Sequence, residues 1–85
     1  MSKYTVNFKK SAVKELHKLP NAEISRIIKL IDKLSIDPRP RGCKKLKGYR
    51  DLWRVRSGSY RVIYSIEDHI LIIEVLEIAH RKDAL

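Results

Sequence analysis

The sequence has 85 residues, 44% of them hydrophobic and 34% charged, which suits one domain around one modest core that buries about 60 to 65% of the surface of the unfolded chain. Clear periodic apolar segments argue against disorder. No run approaches the roughly 18 apolar residues of a membrane helix, and Met1 to Val6 lack the apolar stretch of a secretion signal, so a cytoplasmic protein with no membrane partner is expected.

The formal net charge is +9. Between Arg39 and Arg61 lie nine Lys or Arg residues against one acid, Asp51, a local net charge of +8. Such a field attracts a polyanion. The single cysteine, Cys43, can form no internal disulfide and offers no metal framework. No cofactor or metal site is expected.

Tyr4, Val6 and Phe8 alternate with Thr5 and Asn7, which predicts a first strand. Ala12, Val13, Leu16 and Leu19 recur at helical spacing, so Ser11 to Leu19 is expected to be a short helix stopped by Pro20. Asn21 is placed to cap a second helix, with Glu23 in its first turn. Its apolar stripe is Ile24, Ile27, Ile28, Ile31 and Leu34. Asp37-Pro38 ends that helix, and the stretch from Arg39 to Gly48 reads as a loop.

From Leu52 the period returns to two. Trp53 and Val55 face one way, while Leu52, Arg54 and Arg56 face the other. Ser57-Gly58-Ser59 reads as a hairpin turn into Tyr60 to Ile66, with Tyr60, Val62, Tyr64 and Ile66 on one face and Arg61, Ile63 and Ser65 opposite. Glu67 to His69 turns again, and Ile70 to Ala79, almost continuously apolar, predicts a central strand. The expected fold is an α+β domain spanning residues 1–85 in the order βααβββ, an antiparallel sheet with a two-helix hairpin on one face. Trp53, Tyr60 and Tyr64 share their faces with valines and are expected in the core, and His17 and His69 on the surface.

Lys44-Lys45-Leu46-Lys47-Gly48, Leu52-Trp53-Arg54-Val55-Arg56, Gly58-Ser59-Tyr60-Arg61-Val62-Ile63-Tyr64 and His80-Arg81-Lys82-Asp83 together resemble, in order and spacing, the RelE branch of the RelE/ParE toxin superfamily. The resemblance covers essentially the whole chain. It implies a RelE-like fold, cleavage of messenger RNA in the small-subunit decoding site of the ribosome, and neutralisation by a cognate acidic, RelB-like antitoxin. It also implies that Arg61 and Arg81 are catalytic arginines, and that Arg54 stands where many members have a catalytic lysine.

Cutting RNA through its own 2′-hydroxyl needs a proton acceptor, cations for the phosphorane and a proton for the departing 5′-oxygen. Arg61 and Arg54, on adjacent strands, suit the phosphate. His80 has the one ordinary titration range that covers neutral pH, so it could give or take a proton. Lys44, Lys45, Lys47, Arg50, Arg56 and Lys82 are expected to hold the RNA backbone. An arginine is a poor base, which leaves Lys45 or Lys47 as acceptors if their ammonium groups are desolvated. Many members also carry a tyrosine just after the H-R-K-D segment, where this sequence reads Ala84-Leu85. Two further readings share the features above: a ParE-type inhibitor of DNA gyrase, and a non-catalytic nucleic-acid or ribosome-binding module.

Overall fold

The computed structural model describes residues 3–48 and 51–80. Along the chain come β1 (Thr5–Phe8), α1 (Lys10–His17), α2 (Asn21–Ile36), β2 (Lys44–Lys45), β3 (Leu52–Ser57), β4 (Tyr60–Glu67) and β5 (Ile72–His80). One five-stranded sheet has the order β1-β5-β4-β3-β2, and α1 and α2 pack on one face of it through a shared core.

The α+β class and the helical hairpin match the sequence expectation, but the sheet is mixed. β1 runs parallel to β5, with Thr5 opposite Ile72 and Phe8 opposite Val75. The two helices carry the chain back across the sheet, the kind of crossover a parallel neighbour requires. The supposed loop after α2 also contributes a short strand, because Lys44 and Lys45 pair with Arg54 and Trp53.

The core joins Ala12 and Leu16 of α1 and Ile27, Ile31 and Leu34 of α2 to Val55, Val62, Tyr64, Ile73, Val75 and Ile78 of the sheet. The i, i+4, i+7 spacing of Ile27, Ile31 and Leu34 puts them on one stripe of α2. Ile28 sits a full 100° round from Ile27 and remains 38% exposed, and Val13 at the margin of α1 is 36% exposed. Pro20, rather than Asn21, occupies the N-cap of α2; its missing N–H costs nothing where no helical acceptor exists.

Two turns fix the register of the meander. Gly58 opens the two-residue β3–β4 loop with a φ of +60°, the backbone that a II′-type hairpin turn asks of its first position. The β4–β5 turn runs through Leu71, whose φ is +55° and whose carbonyl accepts the Thr5 N–H at 2.8 Å. Ile70 and Leu71 therefore belong to the turn, and β5 begins at Ile72 rather than Ile70.

Candidate active site

Val55, Val62 and Ile78 are buried against the helices, so the residues between them on each strand face away from the helices. Residues paired directly across two strands share a face. One row across the open face therefore runs Lys44, Arg54, Ile63 and Glu77. The next, two residues along, runs Arg56, Arg61 and Ala79. Arg54 and Arg61 are diagonal neighbours in this lattice, close enough for two long guanidinium arms to reach one anion.

Both arginines are half-buried at this face, while Arg56 and Lys44 are exposed. A cleft of about 830 Å³ adjoins the rows, lined by Ile63 and Ala79, Lys47 of the β2–β3 loop, Glu15 of α1, and Glu77 and His80 of β5. β1 pairs with β5 only as far as Val75. Beyond it the chain leaves the sheet at Lys9, whose N–H reaches the Val75 carbonyl at 2.9 Å. The edge of β5 from Leu76 to Ala79 therefore has no strand partner on that side among the described residues, and the cleft reaches His80 round this edge.

The structure thus brings together Lys44, Arg54, Arg56 and Arg61, with Lys47 beside them. It separates Lys45, which pairs with Trp53 and so takes the helix-side parity. His80 is the last residue of β5 rather than the first beyond it. It pairs with Tyr60, and the two rings meet edge to face at 5.4 Å between centroids. Its parity is that of Ile78, opposite to Arg61. Arg50, Arg81 and Lys82 lie outside the described residues.

Arg39 leaves the cationic group altogether. Its guanidinium grips both carboxylate oxygens of Asp68, at 2.8 and 3.2 Å, and its terminal carbon lies 5.0 Å from the centroid of the Trp53 ring. Tyr4 donates to the same carboxylate at 2.7 Å. These two donors, Arg39 first, hold the Asp68 carboxyl down at about 2. Beneath them the buried Tyr64 hydroxyl donates to the Pro38 carbonyl at 2.8 Å, and burial pushes its phenol well above the usual range. Cys43, half-buried against the core, packs nearby.

Glu77 was not singled out from sequence. Ile73 and Val75 are core residues, and strict alternation would put residue 77 in the core as well. Instead the register shifts between Ile63 and Tyr64, which pair with Glu77 and Val75, leaving Leu76 as an extra residue. This bulge sends Ile78 inward and Glu77 to the open face. Its trace in the sequence is the spacing of Glu74 and Glu77, two acids an odd three residues apart in an otherwise apolar run.

Known proteins add the lineage. The family model described as the ParE toxin of type II toxin-antitoxin system, parDE, matches residues 6–85. A putative toxin RelE1 of Methanocaldococcus jannaschii is 34% identical, over 96% of this chain and 94% of its own. Among solved structures, the archaeal RelE-RelB complex from Pyrococcus horikoshii OT3 superposes with a TM-score of 0.85 at 38% identity, covering 96% of this chain and 99% of that one. The RelBE2 toxin-antitoxin complex of Mycobacterium tuberculosis gives 0.83 at 33% identity, over 98% and 97%. With four basic side chains on one sheet face and a family match along nearly its whole length, the chain belongs to the RelE/ParE superfamily of toxins from type II toxin-antitoxin systems.

Proposed function

We propose that the protein is a ribosome-dependent messenger RNA endonuclease that cleaves by attack of a ribose 2′-oxygen on the adjacent phosphate. The observation that supports this most directly is the diagonal placement of Arg54 and Arg61 on one open sheet face beside a cleft. Two preorganised guanidiniums there bind a phosphodiester and stabilise the extra charge that builds on it during displacement. Lys44, Lys47 and Arg56 extend the positive surface along the strand of RNA. Arg81 takes a second phosphate contact on the family resemblance alone. His80 has the parity opposite to Arg61, but the cleft runs round the edge of β5 and is lined by both His80 and the open-face residues Glu77 and Ala79. From that edge His80 is assigned to protonate the departing 5′-oxygen.

The natural inhibitor is then an acidic, RelB-like antitoxin, in keeping with the RelE-RelB complexes among the structural relatives. A protein with this surface needs such a cover, since +8 of its formal charge lies in one stretch of chain. The name of the matching family model also favours a second reading, in which the toxin binds and inhibits DNA gyrase. That activity has no need of paired arginines around a scissile linkage.

Induction in cells followed by transcript mapping separates these readings. Cuts within translated messages are expected, and Arg61→Ala is expected to abolish them while still binding the antitoxin. Broken DNA with intact transcripts would point to gyrase instead. Intact transcripts and intact DNA would leave only a binding module.

A further inference from the structure

The arrangement of cations leaves one job of the proposed cleavage unfilled, because an arginine cannot accept the proton of the attacking 2′-hydroxyl and Lys44, Lys45 and Lys47 are exposed, without the desolvation that would make a lysine a base. We propose that Glu77 accepts it. This assignment rests on the nuclease reading and adds to it the identity of the base.

Glu77 pairs directly with Ile63, and Arg61 with Ala79, so Glu77 and Arg61 are diagonal neighbours on the open face, a spacing of about 7 Å. A phosphate held by Arg61 therefore presents its neighbouring ribose within reach of the Glu77 carboxylate. Bulges recur beside active sites because they re-aim one side chain. Here the extra residue Leu76 turns Glu77 out of the core register and into the cleft. Without that bulge the acid would point at the helices.

The cleft has a second carboxylate, Glu15 of α1, but it is engaged with Lys18 at 3.6 Å. Among the described residues Glu77 forms no ion pair, although Arg61 lies diagonal to it and Arg54 shares its row. The residue is exposed, open to an incoming hydroxyl. Glu74, on the same strand and the same face, pairs with Ser65 and lies outside the cleft.

The step balances without a further reactant. The 2′-hydroxyl proton passes to a Glu77 oxygen as the O2′–P bond forms. The P–O5′ bond breaks with its electron pair on oxygen, and that oxygen takes a proton from His80. The products are a 2′,3′-cyclic phosphate and a free 5′-hydroxyl.

Single-turnover cleavage of message on programmed ribosomes tests this with the wild-type chain, Glu77→Gln, Glu77→Ala and Glu74→Gln. Glu77→Gln is expected to cut about 10²-fold or more slowly at unchanged ribosome affinity and melting temperature, with Glu74→Gln at the wild-type rate. Added formate should partly restore Glu77→Ala and do nothing for Arg61→Ala. A Glu77→Gln rate within about three-fold of wild type, far short of the loss of a general base, overturns the assignment and leaves the nuclease reading intact. An equal loss in Glu74→Gln also overturns it, since the effect would then follow net charge. Failure of the wild-type chain to cut removes the nuclease reading and this base with it.

Discussion

Arg56 and Arg61 sit directly opposite one another across β3 and β4, two cations on one face of one hairpin. Like charges in that relationship destabilise a sheet. A chain that keeps them in register carries a local cost whose counterpart is affinity for an anion. Arg56→Thr is therefore expected to stabilise the fold by a few tenths of a kcal/mol, and by about 1 kcal/mol at most. Urea melts at low and high salt check it, and the gain should shrink as salt screens the pair. Ribosome binding by the same variant should weaken, with a shallower dependence on salt. A loss of stability that ignores salt would count against the repulsion.

Arg54 tests the division of labour from the other side. If Glu77 is the base, Arg54 serves only to hold the phosphate, and Arg54→Lys gives up a two-pronged grip for a point charge. Single-turnover cleavage should then slow about ten-fold, equivalent to about 1.4 kcal/mol of transition-state stabilisation. A faster Arg54→Lys enzyme would show that a lysine at this position supplies the missing proton acceptor.

Arg61→Ala should be the most damaging of the arginine changes. Removing one preorganised donor from a developing oxyanion costs about 10² to 10³ in rate, and Arg61 stands between Arg56 and Ala79 at the middle of its row. Cleavage at saturating ribosomes reads this directly. A rate within a few-fold of wild type, against that expected loss, would take Arg61 out of the chemistry.

The open face was legible because period-two alternation is rigid: once Val55 and Val62 are core, Arg54, Arg56 and Arg61 have one place to go. Tyr64 and Trp53 followed from the same parity. What alternation could not reveal was its own interruption. The bulge at Leu76 reversed the parity of everything after Val75, exposing Glu77 and giving His80 the helix-side parity beside Tyr60. The parallel pairing of β1 was hidden for a different reason. Its alternation states which face is buried and says nothing of the neighbour's direction, which the length of the helical crossover decides. Arg39 was counted in the cationic field because its partner, Asp68, lies 29 residues away.

Tyr64 anchors the segment leading to β2. Its side chain is fully buried and its hydroxyl satisfies the Pro38 carbonyl, itself in a buried residue. Tyr64→Phe keeps the ring and strands that acceptor, a loss of about 1 to 2 kcal/mol. Chemical denaturation should show it as a lower midpoint at unchanged slope. Because the same segment leads to Lys44 and Lys47, faster amide exchange from Arg39 to Lys47 should accompany the loss. A variant as stable as wild type would mean that water replaces the phenol at Pro38.

Asp68 supplies the pH dependence of the opposite corner. Its folded carboxyl titrates at about 2, whereas an unfolded aspartate titrates near about 3.9, so between those values the unfolded chain binds more protons. The contribution to stability is therefore complete above about pH 4 and is lost as the pH falls through about 2. Urea midpoints measured from pH 5 down to pH 2 should fall more steeply for the wild-type chain than for Asp68→Asn, which has no carboxyl to protonate. Arg39→Gln should flatten the same limb, because Arg39 is the larger cause of the depression. Since Arg39 and Tyr4 both sit on this carboxylate, its neutralisation should also free Arg39 from Asp68 and weaken its place over Trp53, visible as a change in tryptophan fluorescence across the same interval. Parallel acid limbs in all three chains would mean that the contact between Arg39 and Asp68 does not persist in solution.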